Sequence, residues 1–147
     1  MGATTLMTIS VFAPASIGNL NVGFDVLGLA VRPIDGTLLG DIVSIESAEE
    51  NKLIVIGEFA NKLPGKPTDN IVWHCLVLYN QALEKAQQPI QTVQLTLDKK
   101  MPVGSGLGSS ACSVVAALVA LNEFYQQYFD EKNLLFMMGE MEAKISG

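Results

Sequence analysis

Residues 104–111, GSGLGSSA, form a glycine- and serine-rich segment that leads directly into a long apolar run. Glycines at positions 104, 106 and 108 permit left-handed backbone conformations and a close approach to the main chain. Ser109 and Ser110 fall where a helix is expected to begin and to need a cap, beside N–H groups that lack helical partners. Such a loop can bind nucleotide phosphates through main-chain N–H groups, with serine hydroxyls on phosphate or Mg²⁺.

Other loop patterns compete for this segment. A Walker A loop requires a lysine after its last glycine, and none follows Gly108. The dinucleotide-binding pattern G-x-G-x-x-G/A is formally met by Gly106, Gly108 and Ala111, but Gln126 and Gln127 occupy the place, about 20 positions further on, where the pattern requires an acidic residue. A plain turn capped by serine would need fewer glycines. The loop therefore favours nucleotide binding, with a non-catalytic nucleotide-binding module and a Rossmann-type NAD(P)-binding protein as the alternatives.

The composition narrows the class of protein. With 147 residues, 49% of them apolar, the chain is long enough for one globular domain with a sizeable core. The net charge of −6 argues against a protein that reads a nucleic-acid backbone. A single histidine and two cysteines without C-x-x-C spacing argue against a zinc site. With neither a signal peptide nor a membrane-length apolar run, we expect a cytoplasmic protein without nucleic-acid or membrane partners.

Short alternating runs precede the glycine loop, and apolar helical patterns follow it. Strands are predicted over residues 8–12, 26–31, 41–47, 52–59 and 92–100, and helices over residues 71–86, 109–128 and 131–145. Thr68, Asp69 or Asn70 is expected to cap the first helix. The apolar side of the last helix is predicted to consist of Leu134, Leu135, Met138, Met141 and Ile145. This order of elements predicts an α+β fold with a mainly antiparallel sheet and packed helices.

A second polar segment lies between the first two apolar runs, where Asn19, Asn21 and Asp25 are close together. Its carboxylate could meet the ammonium group of a substrate. Taken alone, an Asx-type turn between two strands is the simpler interpretation. Glu140 and Glu142 would likewise be ordinary exposed carboxylates on a helix.

Two motifs together resemble the GHMP superfamily of small-molecule kinases, which includes galactokinase, mevalonate kinase and homoserine kinase. PVGSGLGSSA is similar to their signature loop, and APASIGNLNVGFDVLGLAV resembles the first motif of the homoserine kinases. PIDG, FANKLPGKPTDNIV and LVALNE extend the resemblance, so that it covers residues 10–147 and is strongest to the enterobacterial type. Two separated motifs in the right order are more specific than either alone.

The resemblance implies ATP-dependent phosphorylation of the side-chain hydroxyl of L-homoserine, a step of threonine biosynthesis that uses Mg²⁺. Ser110 would ligate Mg²⁺ together with Glu142, with Glu140 as the alternative. Asn19 and Asp25 would bind homoserine, and Asp25, a binder first, is the only candidate for a catalytic base. Asn70 would lie near the nucleotide. The residues implied to wrap the ATP phosphates are Pro102, Val103, Gly104, Ser105, Gly106, Leu107, Gly108, Ser109, Ser110, Ala111 and Cys112.

The resemblance also implies a ribosomal-protein-S5-like domain over residues 1–147, the ATP-binding N-terminal domain of such a kinase. Family members are much longer, and their C-terminal domain has no counterpart here. We therefore expect an N-terminal half that has little or no kinase activity alone. Met7 resembles a natural initiator, so the six residues before it would be either a vector remnant or an extension. The sequence leaves open whether the protein forms a homodimer.

Overall fold

The computed structural model describes residues 7–17 and 29–146, which form a four-stranded sheet, a two-stranded sheet and three α-helices. The main sheet has the order β1-β4-β6-β5, and β2 pairs with β3. Both β1 and β6 pair antiparallel with β4, which confirms the predicted α+β fold with a mainly antiparallel sheet. The elements in chain order are β1 (Ile9–Pro14), β2 (Ser16–Ile17), β3 (Leu29–Ala30), β4 (Gly40–Ser47), β5 (Lys52–Ile56), α1 (Ile71–Lys85), β6 (Val93–Asp98), α2 (Ser109–Phe124) and α3 (Glu131–Ser146).

Strand β5 is an exception to the antiparallel pairing that the sequence pattern predicts. It runs parallel to β6, and α1 makes the crossover between the two strands. It also ends at Ile56 rather than at residue 59, because Gly57 turns the chain with φ of 102°. A Cβ at Gly57 would lie 2.6 Å from Asp98 Oδ1 and 2.7 Å from the main chain of Lys99. Only glycine fits this turn.

The core lies between the main sheet and the helices. Along β6, Val93, Leu95 and Leu97 are fully buried and the residues between them are partly exposed, as the alternation predicts. Helix α2 packs against β1 and β4 and is covered by α1 and α3, which explains why it is apolar nearly all round. The core therefore anchors the helix that begins where the glycine loop ends. Within the described residues, no helix has the length and hydropathy needed to cross a membrane.

Some element ends differ from the prediction. Edge strand β1 extends beyond residue 12 to Pro14, which an edge strand tolerates. Asn70 is the residue that caps α1, where its Oδ1 accepts the N–H of Val72 at 2.9 Å. Helix α2 ends at Phe124 rather than at residue 128, since Gln126 and Gln127 adopt φ of 56° and 57° and leave the helical path. Of the predicted strand 26–31, the described residues contain Leu29–Ala30 as β3.

The predicted apolar side of α3 is partly wrong. Leu134, Met137 and Met141 are the residues that α3 buries in the core, and Met138 packs beside them. Leu135 is 66% exposed and Ile145 is 42% exposed. The buried positions follow the spacing i, i+3, i+7, which places Leu135 on another side of the helix.

Both cysteines are buried and reduced, and we expect them to be unreactive in the folded protein. Burial raises the pKa of Cys75 to about 12. Burial, reinforced by the Asp41 carboxylate, raises the pKa of Cys112 to about 11. Because the thiolate is the nucleophile, labelling by a disulfide reagent at about pH 8 should be slow in the native protein and rapid in urea. Mass spectrometry of the two peptides checks this, and rapid native labelling of either would contradict it.

Candidate nucleotide site

The glycine loop connects β6 to α2 and has the conformation that its sequence predicts. Gly104, Gly106 and Gly108 have φ of 75°, 75° and 68°, in the left-handed region. A Cβ at Gly104 or Gly106 would meet no described residue within 4 Å, whereas one at Gly108 would lie 2.5 Å from Ser16 Oγ. The N–H of Ser16 donates to the carbonyl oxygen of Leu107 at 3.0 Å. Strand β2 therefore holds the end of the loop in place.

Main-chain donors lie at the start of helix α2. Its N-cap is Gly108 rather than a serine, so the predicted serine cap is wrong by one position, and no side chain within residues 7–17 and 29–146 caps the helix. The first main-chain hydrogen bond of the helix runs from Cys112 N–H to Gly108 O at 2.8 Å. The N–H groups of Ser109, Ser110 and Ala111 precede that bond and have no acceptor among the described residues. With the positive end of the helix dipole, they form a site suited to an anion.

A cavity of about 760 Å³ lies against the loop and the start of α2. Ser110, from the first turn of α2, and Glu142, from the end of α3, both line it. Glu140 does not, and instead lines a separate groove beside Lys85 and Lys144. The residues lining the loop cavity are Ser16, Gly104, Ser105, Gly106, Gly108, Ser109, Ser110, Ala111, Glu142 and Ala143.

The side chains in this cavity fit a magnesium nucleotide. Hydroxyl and carboxylate oxygens are hard ligands, and Mg²⁺ is typically held by one or two carboxylates together with substrate phosphates and water. Ser110 and Glu142 supply such oxygens next to the N–H groups at the start of α2 that would bind phosphate. In the parts of the chain that the structure describes, no three His, Cys, Asp or Glu side chains cluster as a metal site of their own.

The other residues predicted to contact ATP lie outside the lining of this cavity. Pro102 and Val103 precede the glycines, and Val103 is exposed. Leu107 and Cys112 pack into a small apolar cluster beneath the loop. Asn70 is buried at the start of α1, where its Oδ1 is the helix cap and its Nδ2 has no partner among the described residues. Their contact with ATP stays a prediction.

The predicted homoserine ligands Asn19 and Asp25 lie outside the described residues. The nearest described residues that precede them are those of β2, whose Ser16 lines the cavity. Their position relative to the cavity stays a prediction.

A buried ionic network beneath the loop is a feature that the sequence interpretation missed. Lys99 Nζ lies 2.6 Å from Asp41 Oδ2, 2.8 Å from Ser109 O and 3.0 Å from Ser113 Oγ. Asp41 Oδ1 accepts the N–H groups of residues 100 and 101, each at 3.0 Å. The sequence offered one indication of this network. Asp41 starts one predicted strand, and Lys99 lies near the end of another, with which the first strand pairs in the structure.

Replacing Gly108 with alanine should destabilise the protein more than the same change at Gly104 or Gly106, the other two glycines of the loop. The left-handed φ and the contact with Ser16 should together cost about 2–3 kcal/mol, compared with about 1 kcal/mol at Gly106, where only φ is unfavourable. Gly65→Ala, at an open position without positive φ, is the matched control. Denaturant unfolding measures the difference, and equal midpoints for Gly108→Ala and Gly65→Ala would refute this account of the loop.

Comparisons with known proteins relate this chain to a family of kinases. The model of the GHMP kinases N-terminal domain matches residues 70–147. A homoserine kinase from Cytophaga hutchinsonii ATCC 33406 is 34% identical over 97% of this chain and 43% of its own, with a TM-score of 0.79. Streptococcus pneumoniae phosphomevalonate kinase (14% identity, 97% of this chain, 42% of its own, TM-score 0.64) shares the fold. Methanococcus jannaschii mevalonate kinase also shares the fold (17% identity, 98% of this chain, 48% of its own, TM-score 0.61).

The chain spans less than half the length of each of these three proteins. The Rossmann-type alternative finds no support, because the strand before the loop pairs antiparallel with β4 instead of belonging to an all-parallel sheet. The family match covers just over half of the chain and includes the glycine loop, Ser110 and Glu142. This chain belongs to the GHMP kinases.

Proposed function

We propose that this chain is the ATP-binding part of a kinase that phosphorylates the side-chain hydroxyl of L-homoserine, yielding O-phospho-L-homoserine and ADP. The observation that carries the proposal is the cavity shared by the glycine loop, the start of α2, Ser110 and Glu142. The 34% identity to a homoserine kinase over nearly the whole chain favours homoserine as the acceptor. The reaction would belong to threonine biosynthesis in the cytoplasm.

Main-chain groups would provide most of the phosphate recognition. The net charge of −6 does not attract ATP to the protein as a whole, so binding depends on local donors. The N–H groups of Ser109, Ser110 and Ala111 would donate to phosphate oxygens, and the helix dipole would add about 1 kcal/mol. Gly104 and Gly106 have no described residue within 4 Å of their Cβ positions, so phosphate could approach the main chain beside them.

Ser110 and Glu142 would hold Mg²⁺ through their hydroxyl and carboxylate oxygens. When bound, the metal would supply charge neutralisation for a loose, in-line phosphoryl transfer. Catalysis would then consist mainly of positioning the reactants. Asn19 and Asp25 would bind the amino acid, with Asp25 beside the reacting hydroxyl as the only candidate base.

The proposal is tested by ADP release from the full-length protein with Mg·ATP and L-homoserine, mevalonate, galactose or no acceptor. We expect homoserine to be preferred by roughly a hundredfold or more, as in sites built around the polar groups of one substrate. Preference for another alcohol would leave a kinase with a different substrate. Nucleotide binding without stimulation by any acceptor would favour the non-catalytic module instead. The 147-residue chain alone is expected to show little turnover.

Replacing Ser110 with alanine should reduce homoserine-dependent kcat/KM by about tenfold or more, because the metal loses one oxygen ligand. Ser47→Ala, which removes an exposed hydroxyl at the end of β4, is the control. Steady-state kinetics at saturating Mg²⁺ measure the effect. Equal activity of the two variants would remove Ser110 from the metal site.

A further inference from the structure

We infer that Lys99 is a positioning residue for the phosphate site, where it holds the peptide group between Ser109 and Ser110 from the core side. This inference rests on the proposed function, because it concerns how the same cavity binds phosphate. The residues that carry it are Lys99, Asp41 and Ser113, which form the buried network beneath the loop.

The Lys99 ammonium uses all of its hydrogen-bond donors within the protein. Lys99 is 1% exposed, and the three N–H groups of its ammonium meet three acceptors, namely Asp41 Oδ2, Ser109 O and Ser113 Oγ. The Ser113 hydroxyl lies 2.9 Å from the same Asp41 oxygen. An ammonium with these partners has no donor left for a phosphate in the cavity. Its effect on phosphate binding must therefore pass through the groups that it touches.

One of those groups is part of the phosphate site itself. The carbonyl of Ser109 and the N–H of Ser110 belong to the same planar peptide unit and point in opposite directions. Lys99 holds the carbonyl oxygen, so the N–H of Ser110 points the opposite way, out of the N-terminal end of α2, and Ser110 lines the cavity there. The cation at the oxygen also polarises the peptide, which makes its N–H a stronger donor.

The same ion pair holds the other end of the loop. Asp41 Oδ1 accepts the N–H groups of Lys100 and Met101, where the chain leaves β6. Ser109, where α2 begins, is bonded to Lys99. One buried pair therefore fixes both ends of a glycine-rich segment whose backbone freedom would otherwise oppose an ordered phosphate site.

A charge-neutral double variant, Asp41→Asn with Lys99→Met, removes the ion pair without leaving one buried charge alone. The asparagine oxygen can still accept the N–H groups of residues 100 and 101. Lys100→Met is the matched control, because it removes an ammonium whose side chain is 44% exposed and whose Nζ lies 3.5 Å from Asp98 Oδ2. Thermal unfolding first establishes that both variants are folded.

The measurement is calorimetric binding of Mg·ADP and of adenosine to the full-length protein and its variants. The double variant should bind Mg·ADP about tenfold or more weakly and adenosine as the parent does, whereas Lys100→Met should match the parent for both. Mg·ADP affinity within twofold of the parent, or an equal loss for adenosine, would overturn the inference. A parent that binds no Mg·ADP would overturn the proposed function itself.

A second measurement does not depend on whether the variant folds. In ¹H–¹⁵N spectra of the parent protein, Mg·ADP should move the amide proton of Ser110 downfield, since this N–H gains an anionic acceptor. An unchanged Ser110 amide at saturating Mg·ADP would overturn the inference even if the nucleotide binds.

Discussion

Replacing Glu142 with glutamine is expected to lower the homoserine-dependent kcat/KM of the full-length protein by roughly a hundredfold or more. Glutamine keeps the size of the side chain but removes the charge that would hold Mg²⁺ beside Ser110 in the cavity. Because a neutral amide is a weaker ligand, the concentration of Mg²⁺ that gives half-maximal rate should also rise. Steady-state kinetics over a Mg²⁺ titration measure both effects.

Glu140→Gln is the matched control for this prediction. The Glu140→Gln variant loses the same charge on the same helix, but Glu140 lines a different groove. The activity and Mg²⁺ dependence of this variant should therefore stay within about twofold of the parent. A large loss at Glu140 with little effect at Glu142 would assign the metal to the other carboxylate. Parental kinetics in both variants would leave the metal without a ligand on α3.

The single substitution Lys99→Met is expected to reduce the free energy of unfolding by about 3–5 kcal/mol, because it leaves the Asp41 carboxylate buried without its partner. The double variant Asp41→Asn with Lys99→Met should recover most of this loss. Removing one partner of a buried ion pair leaves a buried charge alone, whereas replacing both partners by neutral side chains changes the free energy of unfolding little. Denaturant unfolding of the parent and the variants gives the comparison.

Lys100→Met serves as the control and should change the free energy of unfolding by about 0.5 kcal/mol or less, because its ion pair with Asp98 is exposed. A loss at Lys99 as small as that at Lys100 would mean that the buried network does not stabilise the fold. A double variant as unstable as the single one would mean that the lysine stem, rather than its charge, carries the effect.

Local patterns predicted most of the elements, and contacts between distant residues account for what they missed. The alternation in β6 predicted the buried face correctly because it depends only on successive residues. The direction of β5 depends on the crossover through α1, and its end depends on the contact of Gly57 with Lys99. Glycine usually marks the end of a helix in a sequence, but α2 ends before two glutamines with positive φ, so its end could not be located from the sequence.

The candidate site was predictable only in part. The positive φ of the three glycines follows from the local sequence, but the serine cap that the local sequence predicts for α2 is wrong, because Gly108 is the N-cap. Glu142 was chosen over Glu140 through the family resemblance, and the structure separates them because residues two apart on a helix differ by about 200° around its axis. The pairing of Asp41 with Lys99 joins residues that lie on neighbouring strands but are far apart in the sequence, so no local pattern could predict it.

The most direct test of the central claim is a crystal structure of the full-length protein with Mg²⁺ and a non-hydrolysable ATP analogue. The account predicts phosphate oxygens at the N–H groups of Ser109, Ser110 and Ala111, and the metal at Ser110 Oγ and the Glu142 carboxylate. A triphosphate bound away from the glycine loop, or a metal held by Glu140, would contradict it.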